Sequence, residues 1–139
     1  MKTFDRILTE KLRLSGLRPT RQRLALAEIL FNGEDRHVSA EALHHGAEAA
    51  KIPVSLATVY NTLNQFTDAG LLREVAIEGD RTFFDTNTSN YFHYYLGEDG
   101  GLIDIEGPDV SVTGLPELPP GTEIDRVDVI VRLKKSVAI

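Results

Sequence analysis

The stretch Val54-Ser55-Leu56-Ala57-Thr58-Val59-Tyr60-Asn61-Thr62-Leu63-Asn64-Gln65-Phe66-Thr67-Asp68-Ala69-Gly70 decides how this chain is read, because it carries an apolar stripe and an uncharged polar stripe at one helical period. Leu56, Val59, Leu63 and Phe66 recur at helical spacing and predict a core-facing side, while Ala57, Thr58, Asn61, Asn64 and Gln65 fall opposite. No charged residue occurs from Val54 to Phe66. A solvated helix surface ordinarily carries Lys and Glu. Two readings follow: an amphipathic helix that is polar rather than charged, or a surface that meets base edges in the major groove. In that groove amides bond adenine bidentately, and Thr bonds or touches thymine.

The flanking sequence bears on that choice. Ser39 predicts the N-cap of a preceding helix with Glu41 in its first turn and Ala40, Leu43, Ala47 and Ala50 inward, broken at Ile52-Pro53. Two helices joined by a short turn, the second bearing the polar face, match a helix-turn-helix. Upstream, Phe4, Ile7, Leu8 and Leu12 predict a first helix closed by Gly16. Thr20 caps a second that runs to about Phe31, with Leu24, Leu26, Ala27, Leu30 and Phe31 on its apolar side. Downstream, Leu71 to Ile77 and Arg81 to Asp85 flank Glu78-Gly79-Asp80 and predict a β-hairpin, the wing of a winged helix. Arg81 near its tip either reaches a phosphate or pairs with Glu78 or Asp80.

The last third reads as strands: Tyr91 to Leu96, Leu102 to Ile105, and Ile124 to Leu133, with a proline-punctuated connection in which one short helix has room. So few elements make a thin core and call for a second copy of the chain. The fold class expected is α+β, with a winged helix-turn-helix DNA-binding domain over residues 1–85 and a small dimerisation domain over residues 86–139, for which the resemblance described below implies an α/β fold and a sensor role.

Charge supports a split of labour. The chain has 139 residues and a net charge of -6. Residues 1–23 nevertheless hold Lys2, Arg6, Lys11, Arg13, Arg18, Arg21 and Arg23 against only Asp5 and Glu10. This segment suits phosphate contact or, more simply, presents solvated basic faces. Arg21 and Arg23 fall in a helix's first turn, where the macrodipole disfavours cations and helix N-termini attract phosphates. Cysteine is absent, which excludes disulfides, thiol catalysis and a Cys-based structural zinc site. No apolar run has the length of a membrane span and the N-terminus lacks a secretory pattern, so a cytoplasmic protein without membrane partners is expected. Neither a Ser-His-Asp pattern, a phosphate loop nor a metal-hydrolase spacing is present, which argues against an enzyme.

With the elements in this order, the chain resembles the ferric uptake regulator family over nearly its whole length. The residues that carry the resemblance are Gly16-Leu17-Arg18-Pro19-Thr20-Arg21-Gln22-Arg23, His37-Val38-Ser39-Ala40-Glu41, Leu56-Ala57-Thr58-Val59-Tyr60, Leu63-Asn64-Gln65-Phe66 and Ala69-Gly70-Leu71. Within the family it is most similar to the iron response regulator branch of α-proteobacteria. Phe84-Asp85-Thr86-Asn87, Tyr94-Tyr95-Leu96 and Val129-Ile130-Val131-Arg132-Leu133 add to that likeness.

The resemblance implies a homodimeric, metal- or haem-responsive transcription factor on double-stranded DNA, with A/T-rich near-palindromic operators. Toward DNA it places Tyr60 against bases and Arg18 and Arg23 near phosphate or minor groove; the helix, charge and hairpin readings above add Ser55, Ala57, Thr58 and Asn61 on the reading helix, Arg21 near backbone and Arg81 on the wing. For the branch it implies operator binding when iron is scarce. Asn61 stands where many relatives have Arg, a departure that bears on the sequence preferred.

The resemblance also implies a sensor. His37 occupies a ligand position and Asp85 that of a hinge carboxylate, and with His93 they form a histidine and carboxylate set suited to Fe, Mn or Zn that would couple the two domains. His93 is equally a candidate haem ligand or a packed strand histidine. Relatives carry a histidine-rich run where this chain has Tyr91-Phe92-His93, and the Cys-Pro haem motif of some is missing. His44 and His45 read as solvated. The alternatives to an iron or haem regulator are a manganese- or other metal-responsive one, or a winged-helix sensor that contacts protein rather than DNA.

Overall fold

The structure, a computed structural model, describes residues 3–33, 36–77, 81–88, 92–97, 101–105 and 111–136. The chain divides into two compact units, Met1–Thr88 and Ser89–Ile139. The first holds helices α1 (Thr3–Leu14), α2 (Arg21–Leu30), α3 (Ala40–Ala49) and α4 (Leu56–Asp68), with strands β1 (His37–Val38), β2 (Arg73–Ile77) and β3 (Arg81–Asp85). The second holds β4 (Phe92–Tyr95), β5 (Leu102–Asp104) and β6 (Val129–Arg132).

Each helix start in the first unit after α1 is capped by a hydroxyl: Thr20 Oγ1 accepts from the Arg23 amide, Ser39 Oγ from Ala42 and Ser55 Oγ from Thr58. Gly16 closes α1 at a φ of +81°, letting the Leu17 amide reach back to the Leu12 carbonyl. The helices enclose Leu8, Leu12, Leu26, Ala27, Leu30, Leu43, Ala47, Val59, Leu63 and Phe66, onto which Leu72 and Phe84 close. Burial of this apolar set is the main source of the unit's stability.

Three sequence expectations are corrected by packing. Ile7 is 59% exposed, while Leu8 and Leu12 are buried on α1's inner side; the Phe4 side chain lies outside the described residues. Ala50 lies beyond the last turn of α3 and is exposed. On α4, Leu56 sits at the exposed first turn, while the hydroxyl-bearing Thr62 goes inward beside Val59, Leu63 and Phe66. Thr62 holds the position that the four-residue stripe skipped.

The expected hairpin is β2–β3, with Arg73 opposite Asp85 and Ile77 opposite Arg81. Its turn, Glu78-Gly79-Asp80, and the Arg81 side chain lie outside the described residues. β1, too short to show a period, adds antiparallel to the other edge of β3, giving the order β1-β3-β2.

In the second unit β4 is central, antiparallel to β5 and parallel to β6. The strand expected from Ile124 to Leu133 is formed only at Val129–Arg132, because β4 offers four residues to pair with. No helix occurs among the described residues 111–136. His93 and Tyr95 face inward. On the opposite face Ile103, Tyr94 and Val131 line up across the three strands, all exposed.

Candidate functional site

Two features of the first unit concern the polar face of α4. Ala57, Asn61, Asn64 and Gln65 are exposed, and Tyr60 is 39% exposed on its flank. Thr58 is half-buried and accepts from the Ser55 hydroxyl at 3.0 Å, so the cap also orients that side chain. The Tyr60 phenol donates to Glu41 Oε1 at 2.7 Å, within the range of a charge-assisted bond. That bond, with lesser contributions from desolvation and the nearby charge, raises the Tyr60 pKa above the ordinary 10.0.

Arg23 is held from two sides. Its Nε and Nη2 donate to Gln65 Oε1 at 3.3 and 3.0 Å, and its Nη1 donates to the Arg18 carbonyl at 2.8 Å. The first turn of α2 is thereby tied to the polar face of α4, and the cation expected to seek an anion already has intramolecular partners. Arg18 and Arg21 are exposed beside it.

The histidines divide by register. β1 sets His37 directly opposite Asp85, and His37 Nε2 lies 3.2 Å from Asp85 Oδ2. Asp85 is fully buried, and its Oδ1 accepts the Asn87 amide at 2.8 Å. The cross-strand partner of Asp85 on β2 is Arg73, itself buried, whose Nη1 donates to the Asn87 carbonyl at 3.5 Å. Thr86 fastens the start of β1: its amide donates to the Arg36 carbonyl at 3.0 Å, and its Oγ1 accepts from the Arg36 amide at 2.9 Å.

In the second unit β4 and β5 set His93 opposite Asp104, with His93 Nε2 3.3 Å from Asp104 Oδ1. His93 is 1% exposed. Asp104 carries no motif of its own; antiparallel pairing with a histidine is the signal that finds it. Tyr91 lies outside the described residues.

His44 corrects its solvated reading. It is half-buried, with Nε2 3.2 Å from the Val54 carbonyl and Nδ1 3.3 Å from Glu48 Oε1, so it ties α3 to the segment leading into α4. His45 is exposed.

The ferric uptake regulator family model matches residues 14–115, about three quarters of the chain. The chain belongs to the ferric uptake regulator family. It is 36% identical over 101 residues to the ferric uptake regulation protein of Shigella flexneri, covering 73% of this chain and 68% of that protein. The Vibrio cholerae ferric uptake regulator structure superposes with a TM-score of 0.72 at 25% identity, over 91% of this chain and 98% of that one. The Pseudomonas aeruginosa ferric uptake regulator, solved with manganese, shares the fold with a TM-score of 0.69 at 24% identity, over 93% and 98%. Ferric uptake regulator proteins are dimeric, metal-responsive DNA-binding transcription regulators and not enzymes. Among the described residues no helix is long and apolar enough to cross a membrane.

Proposed function

We propose that this chain is an iron-responsive dimeric regulator of the iron response branch, binding A/T-rich near-palindromic operators when iron is scarce. The observation that carries the DNA-reading part is the exposed face of α4, free of charge from Leu56 to Phe66, beside an exposed arginine pair. In this reading residues 1–85 are a winged-helix DNA-binding domain. Tyr60, Asn61, Thr58, Ala57 and Ser55 meet the operator, Arg18 and Arg21 contact phosphate, and Arg23 does so from the hold of Gln65; Arg81 extends the contact from the wing. Residues 86–139 are the dimerisation and sensor domain. The exposed row Ile103, Tyr94 and Val131 supports a second copy as its partner, since an apolar sheet face left in water favours association.

The proposed effector is a divalent cation, with His37, Asp85 and His93 as the ligands expected from sequence; within the first unit His37 and Asp85 offer a donor pair, and within the second His93 and Asp104 offer another. Imidazole nitrogen and carboxylate oxygen are donors that suit Fe(II), Mn(II) and Zn(II). In each pair a histidine Nε2 already faces a carboxylate oxygen, which supports the fit. A bound cation would supply the charge that holds both donors of a pair in place.

The test is operator binding by metal-free protein and by protein titrated separately with Fe(II), Mn(II), Zn(II) and haem. Tyr60→Ala should abolish operator preference while leaving fold and dimer intact. Unchanged operator affinity in that variant sinks the DNA-reading assignment. Loss of affinity on adding haem alone replaces the cation with haem, and indifference to all four additions ends the sensor assignment.

A further inference from the structure

The Tyr60–Glu41 bond has a consequence for which bases α4 reads. The two side chains are 19 residues apart in sequence, Glu41 on the first turn of α3 and Tyr60 on the second turn of α4, and both are exposed. A phenol has one hydrogen to donate and lone pairs with which to accept. With that hydrogen committed to the Glu41 carboxylate, the Tyr60 oxygen faces any third group as an acceptor only.

Major-groove edges differ in just this respect. Adenine N6 and cytosine N4 donate, whereas guanine O6 and N7 and thymine O4 accept. Resting on the DNA-reading function proposed above, we propose that Glu41 is a specificity-determining positioning residue that makes Tyr60 an obligate acceptor. Tyr60 then favours a base presenting an exocyclic amine and disfavours an edge whose only polar atoms accept. The Glu41 carboxylate also repels phosphate, so the device gains selectivity at some loss of general affinity.

Charge and hydrogen bond are separable by substitution. Glu41→Gln keeps an oxygen able to accept from the phenol and removes the charge, whereas Glu41→Ala removes both. Selection from a randomised duplex pool, followed by titration of the selected duplexes, is carried out on the full-length protein and on Glu41→Gln, Glu41→Ala, Tyr60→Phe and Tyr60→Ala. Both Glu41 variants should bind duplexes more tightly overall. Only Glu41→Ala and the Tyr60 variants should lose preference for the amine-bearing base, by about tenfold for the loss of one good contact.

A Glu41→Ala protein with the parent's base preference overturns the inference. If Tyr60→Ala then loses that preference, DNA reading by Tyr60 survives and only the role of Glu41 fails. If Tyr60→Ala keeps it as well, the reading of α4 itself fails. A base preference lost equally in Glu41→Gln and Glu41→Ala also overturns it, because charge and not the hydrogen bond would be the cause.

Discussion

His37 and Asp85 are direct cross-strand partners in β1 and β3, and their side chains meet at 3.2 Å. Strand pairing, not sequence proximity, makes this acid–histidine pair, and the buried Arg73 on the other side of Asp85 belongs to the same row. Asp85→Asn preserves shape and an oxygen able to accept the Asn87 amide but removes the anionic donor. Metal affinity, followed by competition with a fluorescent chelator, should fall at least as far as the 10–100-fold typical of losing an outer-shell partner. Undiminished affinity would exclude Asp85 as a ligand.

The Tyr60 phenol gives a pH prediction with a definite sign. Its pKa is raised by the bond to Glu41, so the folded state prefers the protonated phenol. Whatever stability this contributes is fully present below the unfolded value near 10.0 and disappears as pH rises through the higher folded value. Tyrosinate absorbance should show Tyr60 ionising above 10.0 in the native protein, and Glu41→Ala should bring it back toward 10.0. Superimposable titrations of the two proteins would mean that the bond is not kept in solution.

Much of the fold was legible because helices announce themselves. Val59, Leu63 and Phe66 lie at the spacing that buries them, and Thr20 and Ser39 cap as hydroxyls do. What stayed hidden was set by pairing between distant strands. Two-residue β1 has no period to detect, and Asp104 acquires meaning only from its place opposite His93. The partners of Arg23 and Tyr60 were equally illegible, since Gln65 and Glu41 reach them through tertiary packing of α2 and α3 on α4.

The arginines at the start of α2 should differ in salt dependence. Arg18→Ala and Arg21→Ala each remove one proposed phosphate contact, and each should lower the log–log salt slope of DNA binding by about one unit. Arg23→Ala should do this and also loosen α2 from α4, because its guanidinium bonds Gln65 and the Arg18 carbonyl. These bonds are exposed, so the accompanying loss of stability should stay near about 1 kcal/mol, seen as a lower denaturant midpoint. A Gln65→Ala variant with the parent's slope and base preference would show that this hold does not serve DNA binding.

Lys51 offers a prediction about the segment that feeds α4. It is the one non-glycine residue among those described with a positive φ, at 59°. It stands just past α3, where its amide bonds the Glu48 carbonyl and the Ile52 amide bonds the Ala47 carbonyl. That is a left-handed helix stop, which glycine adopts without strain and other L-residues adopt at a cost of about 1–2 kcal/mol. Glycine also gains freedom in the unfolded chain, and α3 loses a cation near its C-terminus, so the net gain for Lys51→Gly should be about 0.5 kcal/mol. A β-branched side chain fits this conformation worst, and Lys51→Val should destabilise by about 1 kcal/mol or more. Urea unfolding should therefore rank the midpoints Gly above Lys above Val with unchanged m-values. A Val variant as stable as the parent would show that this turn does not hold its left-handed geometry in solution.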